Sequence, residues 1–184
     1  MGMPAQLDRY YTRADVLAMP DDGHRHELVH GELLVSPSPR VPHQRVLRRL
    51  LVPLSAYCER TGAGEVLSSP AELSWGREDI LAQPDLFVIG PRQAGTNDWD
   101  ALRDFPLFVE ILSPATTRYD RFTKRRLYQE MRVPLYWIVD IANRRVEEWT
   151  PDATVAQYVT GTLSWHPAGV QEPFEIALDA LFAP

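Results

Sequence analysis

Apolar and polar positions along the chain change period several times, and each change marks an element. Thr12 is placed to cap a short helix over ADVLAM that Pro20 stops, and DDGHRH reads as a loop. RHELVHGELLVSP is two extended runs joined at His30 and Gly31, a predicted β-hairpin. After SPSPRVP, the positions His43, Val46, Leu47, Leu50, Leu51, Leu54 and Tyr57 recur with a helical period, Arg45, Arg48 and Arg49 standing among them. Pro53 is expected to kink or interrupt this helix, and TGAG to end it. Three β-like runs follow, EVLSS, AELSW and ILAQPDLFVIG, then a loop from about Pro91 to Asp104 rich in Gly, Asn and Asp. PLFVEIL and LYWIVD are almost wholly apolar, the pattern of strands buried on both faces. Between them TTRYDRFTKRRLYQEMR reads as a helix capped by Thr116 or Thr117, with Tyr119, Phe122, Leu127, Tyr128 and Met131 partly inward. RRVEEWTP is expected to pair with LYWIVD through a turn at Ala142 and Asn143, and QEPFEIALDALF to form a strand or short helix. Strand, helix, strand at this spacing fits a crossover between parallel strands. The expected class is α/β or α+β, a mixed central sheet flanked by helices with an N-terminal β-hairpin, in one domain over residues 1–184.

Composition narrows the setting. Hydrophobic residues make up 45% of 184 residues, enough for a core, while no apolar run approaches the roughly 20 residues that cross a bilayer. MGMPAQLDRYYTRADV lacks the pattern of an export signal, and the single Cys58 has no internal disulfide partner. A cytoplasmic location with no membrane partner is therefore expected, with Cys58 a small helical core residue. A net charge of −6 argues against coating nucleic acid by bulk attraction. Positive charge is local instead: residues 117–132 carry six Lys and Arg against Asp120 and Glu130.

Within that basic segment stands Lys124, the only lysine beside eighteen arginines. Lysine differs from arginine in being a compact point charge with a movable pKa, able to position a water or help deprotonate it. Glu110 breaks the apolar run PLFVEIL, and a buried carboxylate is costly unless it is paired or binds a cation. Asp85, after Pro84, opens the apolar run DLFVIG. If the two strands are neighbours, Asp85 and Glu110 stand side by side with Lys124 reaching in from the next helix. Two carboxylates with water oxygens suit magnesium or manganese, and a metal-activated water attacks a phosphodiester. Each residue also has a plain reading: Glu110 meeting an arginine, Asp85 holding a turn, Lys124 pairing with Asp120 at i, i+4.

The order Pro-Asp, acidic residue, lysine resembles the PD-(D/E)XK nucleases. RHELVHGEL, QPDLFVIG, VEILSP, DRFTKRRLY and VPLYWIVD resemble the Uma-type restriction endonucleases among them, from about Arg25 to Trp149. The resemblance implies a mixed sheet flanked by helices, a divalent metal, Mg2+ or Mn2+, and a DNA substrate cleaved at its phosphodiesters. It also implies Asp85 and Glu110 as metal ligands with the main-chain carbonyl of Ile111, Glu27 as a further acidic residue near the metal, and Lys124 as a catalytic residue. In the wider pattern the lysine stands two positions after the acidic residue, where this chain has Leu112. Arg118, Arg121, Arg125 and Arg126 suit phosphate contacts, or form a solvated helix face. His24, His26 and His43 lack zinc spacing, and Ser113 lacks a paired histidine. His43 with Gln44 at the start of the long helix either approaches the site or a phosphate or, the favoured reading, forms a polar pair on the helix surface. The rival functions are a nuclease-fold protein that binds nucleic acid or a protein partner without cutting, and a structural protein. Two-fold cutting would suit a homodimer, with Trp149 and the apolar strands as the room for an interface.

Overall fold

Strand parity sorts the side chains into two layers. The structure, a computed structural model, describes residues 9–183. Residues 1–8, which hold half of the segment read above for an export signal, lie outside the described residues, as does Pro184. Helix α1 (Arg13–Leu17), capped by Thr12 with Asp15 in a reciprocal capping box, precedes the hairpin β1 (His24–Val29) and β2 (Glu32–Pro37). Helix α2 (Val41–Thr61) ends at Gly62, whose positive φ of 70° suits a residue without Cβ. Then come β3 (Glu65–Ser68), β4 (Ile80–Leu81), β5 (Leu86–Ile89) and β6 (Leu107–Ile111). A π-helical turn (Tyr119–Lys124) runs directly into α3 (Arg125–Glu130), followed by β7 (Leu135–Asp140), β8 (Arg145–Trp149) and β9 (Gln157–Val159). The hairpin β10 (Thr162–Trp165) and β11 (Phe174–Ala177) and the short α4 (Leu178–Leu181) close the described chain.

Six strands form the central sheet in the order β3-β5-β6-β7-β8-β9, and β2-β1-β4 form a smaller sheet. Only β6 and β7 are parallel in the central sheet, so the crossover that carries Lys124 joins two neighbouring strands. Leu86, Val88, Leu107, Val109, Trp137 and Val139 face one side, against Leu50, Leu54 and Tyr57 of α2. Phe87, Ile89, Phe108, Tyr136 and Ile138 face the other, under Leu127 and Tyr128 of α3 and Val29 and Ile80 of the smaller sheet. Each such side chain contributes roughly 1.5–3 kcal/mol by leaving water. The expected mixed sheet flanked by helices is the one observed.

Several expectations are corrected. Pro53 does not interrupt α2, which continues to Thr61 because Leu50, Leu54 and Tyr57 on both sides of it are anchored in the core. AELSW forms only an isolated bridge, Leu73 to Ala82. ILAQPDLFVIG divides at Gln83 and Pro84 into strands of two different sheets, since proline has no N–H to continue a ladder. Phe122 points outward and is 55% exposed, because the wider π-helical turn rotates Asp120 and Lys124 inward in its place. The tail holds both a strand and a helical turn, and β9 and β10 are strands the periodicity did not reveal.

Candidate functional site

A cleft of about 360 Å³ opens beside the start of α2, the C-terminal end of β6 and the Ser113 to Thr116 turn. Asp85, Glu110, Ile111 and Lys124 line it, with Arg25, Arg40 and His43. The pairing of β5 with β6 explains the first two. Leu86 stands opposite Val109, so the same register continued by one position sets Asp85 opposite Glu110. Both share the parity of Phe87 and Phe108, and project toward the layer that contains α3 and the smaller sheet.

Lys124 is buried, at 3% exposure, which removes the reading of a surface accident. Its Nζ lies 2.7 Å from Glu27 Oε2, 3.0 Å from Glu110 Oε1 and 3.5 Å from Asp120 Oδ1. The i, i+4 pair with Asp120 is thus real, but it is the longest of three contacts. Tyr128 Oη donates to the same Glu110 oxygen at 3.1 Å. Asp85 is held by Arg25 on Oδ1 at 2.8 Å, and on Oδ2 by the Ile111 N–H at 2.8 Å and His43 Nε2 at 2.9 Å. Glu27 accepts from the Gln83 N–H through Oε1 and does not line the cleft, so it supports Lys124 from behind the lining residues.

Four buried carboxylates, Glu27, Asp85, Glu110 and Asp120, face two permanent cations, Arg25 and Lys124, and one histidine. Burial pushes the Glu110 carboxyl well above its ordinary range; Lys124 offsets this, and Asp85, Asp120 and Glu27 add to it. Burial likewise lifts Asp120 to about 6 against the pull of Lys124. Asp85 moves the other way, because the His43 hydrogen bond and the charges of His43, Arg25 and Lys124 outweigh its burial. Burial alone would lower Lys124, yet Glu110, Glu27, Asp120 and Asp85 raise it well above the usual ammonium range. The cluster holds more carboxylates than cations, which favours the protonated forms of Glu110 and Asp120.

That deficit and the oxygen-rich lining fit a hard divalent cation better than zinc. Among the described residues no three His, Cys, Asp or Glu side chains form a preformed cage. The donors on the cleft wall are instead Asp85, Glu110 and the main chain of Ile111.

Arg25 and Tyr128 belong to the candidate site and were not singled out for it, and His43 entered only as the less favoured of two readings. His43 is buried on Asp85, a correction to the helix-surface reading; its place within the apolar period of α2 was the available signal. Arg25 stands two positions before Glu27 on β1, the same face of one strand. The four arginines expected at phosphates divide. Arg121 is ion-paired with Asp140 and Glu147, and Arg125 lies over Trp149, whereas Arg118 and Arg126 are exposed. None of the four lines the cleft.

Residues 13–178 match a family, Uma2, described as "Putative restriction endonuclease". The crystal structure of a "putative nuclease belonging to DUF820" from Anabaena variabilis is similar at a TM-score of 0.73 and 16% identity, over 94% of this chain and 97% of that one. At that identity the likeness speaks for the fold. No curated protein matches the chain. Among the described residues no helix is long and apolar enough to cross a membrane.

Proposed function

Because the chain belongs to the Uma2 family of restriction-endonuclease type, we propose that it is a Mg2+- or Mn2+-dependent endonuclease that hydrolyses DNA phosphodiester bonds. The observation that carries this reading is the sole lysine, buried among Glu27, Glu110 and Asp120 at a cleft it shares with Asp85. Asp85, Glu110 and the Ile111 carbonyl would hold the cation. When bound, such a cation offsets charge on a phosphoryl oxygen and makes water more acidic. The protein's own groups do the aiming. Arg25 and His43 fix the Asp85 carboxylate, and Tyr128 fixes Glu110. Lys124, kept protonated by its carboxylates, presents its ammonium beside the cleft. Its role is to orient the attacking water and face the growing negative charge, not to accept the proton. Water adds to phosphorus and gives up a proton to solvent, one P–O ester bond breaks, and the leaving oxygen takes up a proton from solvent.

The test is nicking of supercoiled plasmid with manganese or magnesium, beside EDTA and Asp85→Ala. Cutting by the wild type alone is expected. One observation favours the non-cutting alternative: Arg25 already neutralises Asp85 at 2.8 Å, where a cation would do the same. That alternative predicts folded protein, no nicking, and a melting temperature indifferent to magnesium. The nuclease reading predicts a rise in melting temperature with magnesium that Asp85→Asn abolishes.

A further inference from the structure

Among the described residues eight guanidiniums face a carboxylate, those of Arg13, Arg60, Arg77, Arg121, Arg132 and Arg144 among them. The arginines outside these pairs include four that stand on the two helical segments bordering the cleft. Arg40 and Arg48 are exposed on the first half of α2, and Arg118 and Arg126 are exposed on the helical segment that carries Lys124. Among the described residues no ion pair reaches any of these four. Arg40 lines the cleft, and Arg118 follows two positions after Thr116, which lines its other wall. Two rows of arginines without an ion pair thus begin at the cleft, one at Arg40 and one beside Thr116. Within each row the arginines are eight positions apart.

Phe122 stands midway between Arg118 and Arg126 and is 55% exposed. Its neighbours Asp120, Lys124, Leu127 and Tyr128 are buried, so the outward side of this segment presents Arg118, Phe122 and Arg126. An exposed phenyl between free guanidiniums is the combination that binds single-stranded nucleic acid, with phosphates on the cations and a base on the ring. The net charge of −6 disfavours nucleic acid bound by bulk attraction elsewhere on the protein.

We propose that DNA crosses the cleft on two arginine rows, Arg40 with Arg48 and Arg118 with Arg126, and that Phe122 stacks on an unpaired base beside the site. The substrate class is therefore DNA with a single-stranded or frayed segment rather than intact duplex. This rests on the nuclease reading, but its test is binding without cutting. Fluorescence anisotropy of labelled single-stranded and duplex DNA is measured in EDTA over a range of salt concentrations.

The wild type is expected to prefer the single strand, with affinity falling steeply as salt rises. Arg40→Ala with Arg48→Ala, or Arg118→Ala with Arg126→Ala, should each weaken binding about tenfold and flatten the salt slope by about one per arginine removed. Arg60→Ala with Arg92→Ala removes equal charge elsewhere and should change little. Phe122→Ala should weaken single-strand binding about tenfold and leave duplex binding unchanged. Circular dichroism verifies the fold of each variant. Row variants that bind like the wild type would overturn the track while leaving plasmid nicking to judge the nuclease reading. Single-strand binding indifferent to Phe122→Ala would overturn the stacking. Polyglutamate competing as well as DNA per charge would mark a surface for an acidic protein and defeat the proposal, as would no DNA binding by the wild type at low salt.

Discussion

A charge inside an apolar run is the most legible kind of functional residue, because burial makes it costly without a partner. Asp85 and Glu110 were visible on that ground, Lys124 as the sole lysine, and all three line one cleft. Arg25 was not visible, and His43 only as the less favoured of two readings, since an arginine near a hairpin and a histidine on a helix are ordinary at a surface. Only the fold reveals that both point at Asp85. Asp120 read as half of a helix ion pair, and its burial changes its meaning. With its carboxyl lifted to about 6, Asp120 contributes stability that is complete below about pH 4, where the unfolded group is also protonated. That contribution is lost as pH rises through about 6. Glu110, also raised, acts in the same direction, whereas the contribution of Asp85, whose pKa is depressed, is lost only as pH falls below about 4. Metal-free protein should therefore melt at a lower temperature at pH 7 than at pH 5. Asp120→Asn should remove about 1 kcal/mol of that decline. Thermal unfolding in EDTA at both pH values measures it, and equal declines in the two proteins would refute this account of Asp120.

At the scale of elements, the apolar strands and the amphipathic α2 were legible because their periods are unbroken, while the segment behind Lys124 was not. A 3.6-residue period assigns Phe122 inward, but a π-helical turn carries one more residue per turn and reassigns the faces. What holds this turn is Arg121, which bridges to Asp140 at the end of β7 and to Glu147 on β8. Both carboxylates are buried; Arg145 and Asn143 still reach Asp140, but Glu147 loses its ion partner, so Arg121→Ala should cost about 3 kcal/mol in urea unfolding. If the clamp also sets the aim of Lys124, Arg121→Ala should lower kcat with little change in KM. Lost stability with unchanged kcat would leave Arg121 a structural residue. Arg121 was expected at a phosphate, and nothing in the sequence distinguished it from Arg118, since Asp140 and Glu147 lie on other strands.

At the scale of the molecule, the site draws on parts far apart in the chain. Glu27 comes from the smaller sheet, Asp85 and Glu110 from the central one, Lys124 from the crossover and His43 from α2. The Glu27 to Lys124 pair and the Gln83 N–H to Glu27 bond tie the small sheet to the large one. Near- and far-ultraviolet circular dichroism should therefore report one coincident unfolding transition, and magnesium should move both signals together. Separate transitions would mean that the hairpin sheet opens alone. That union was not readable beforehand, because no local pattern records which distant strand a glutamate will meet. The parity of β5 and β6 gives the arrangement an arithmetic. One residue inserted between Leu107 and Glu110 would turn the carboxylate to the side where Leu50 and Leu54 lie, while an inserted pair would return it to its own side. The chemistry is addressed by an even-or-odd count, so descendants of this chain can lengthen that strand only in steps of two.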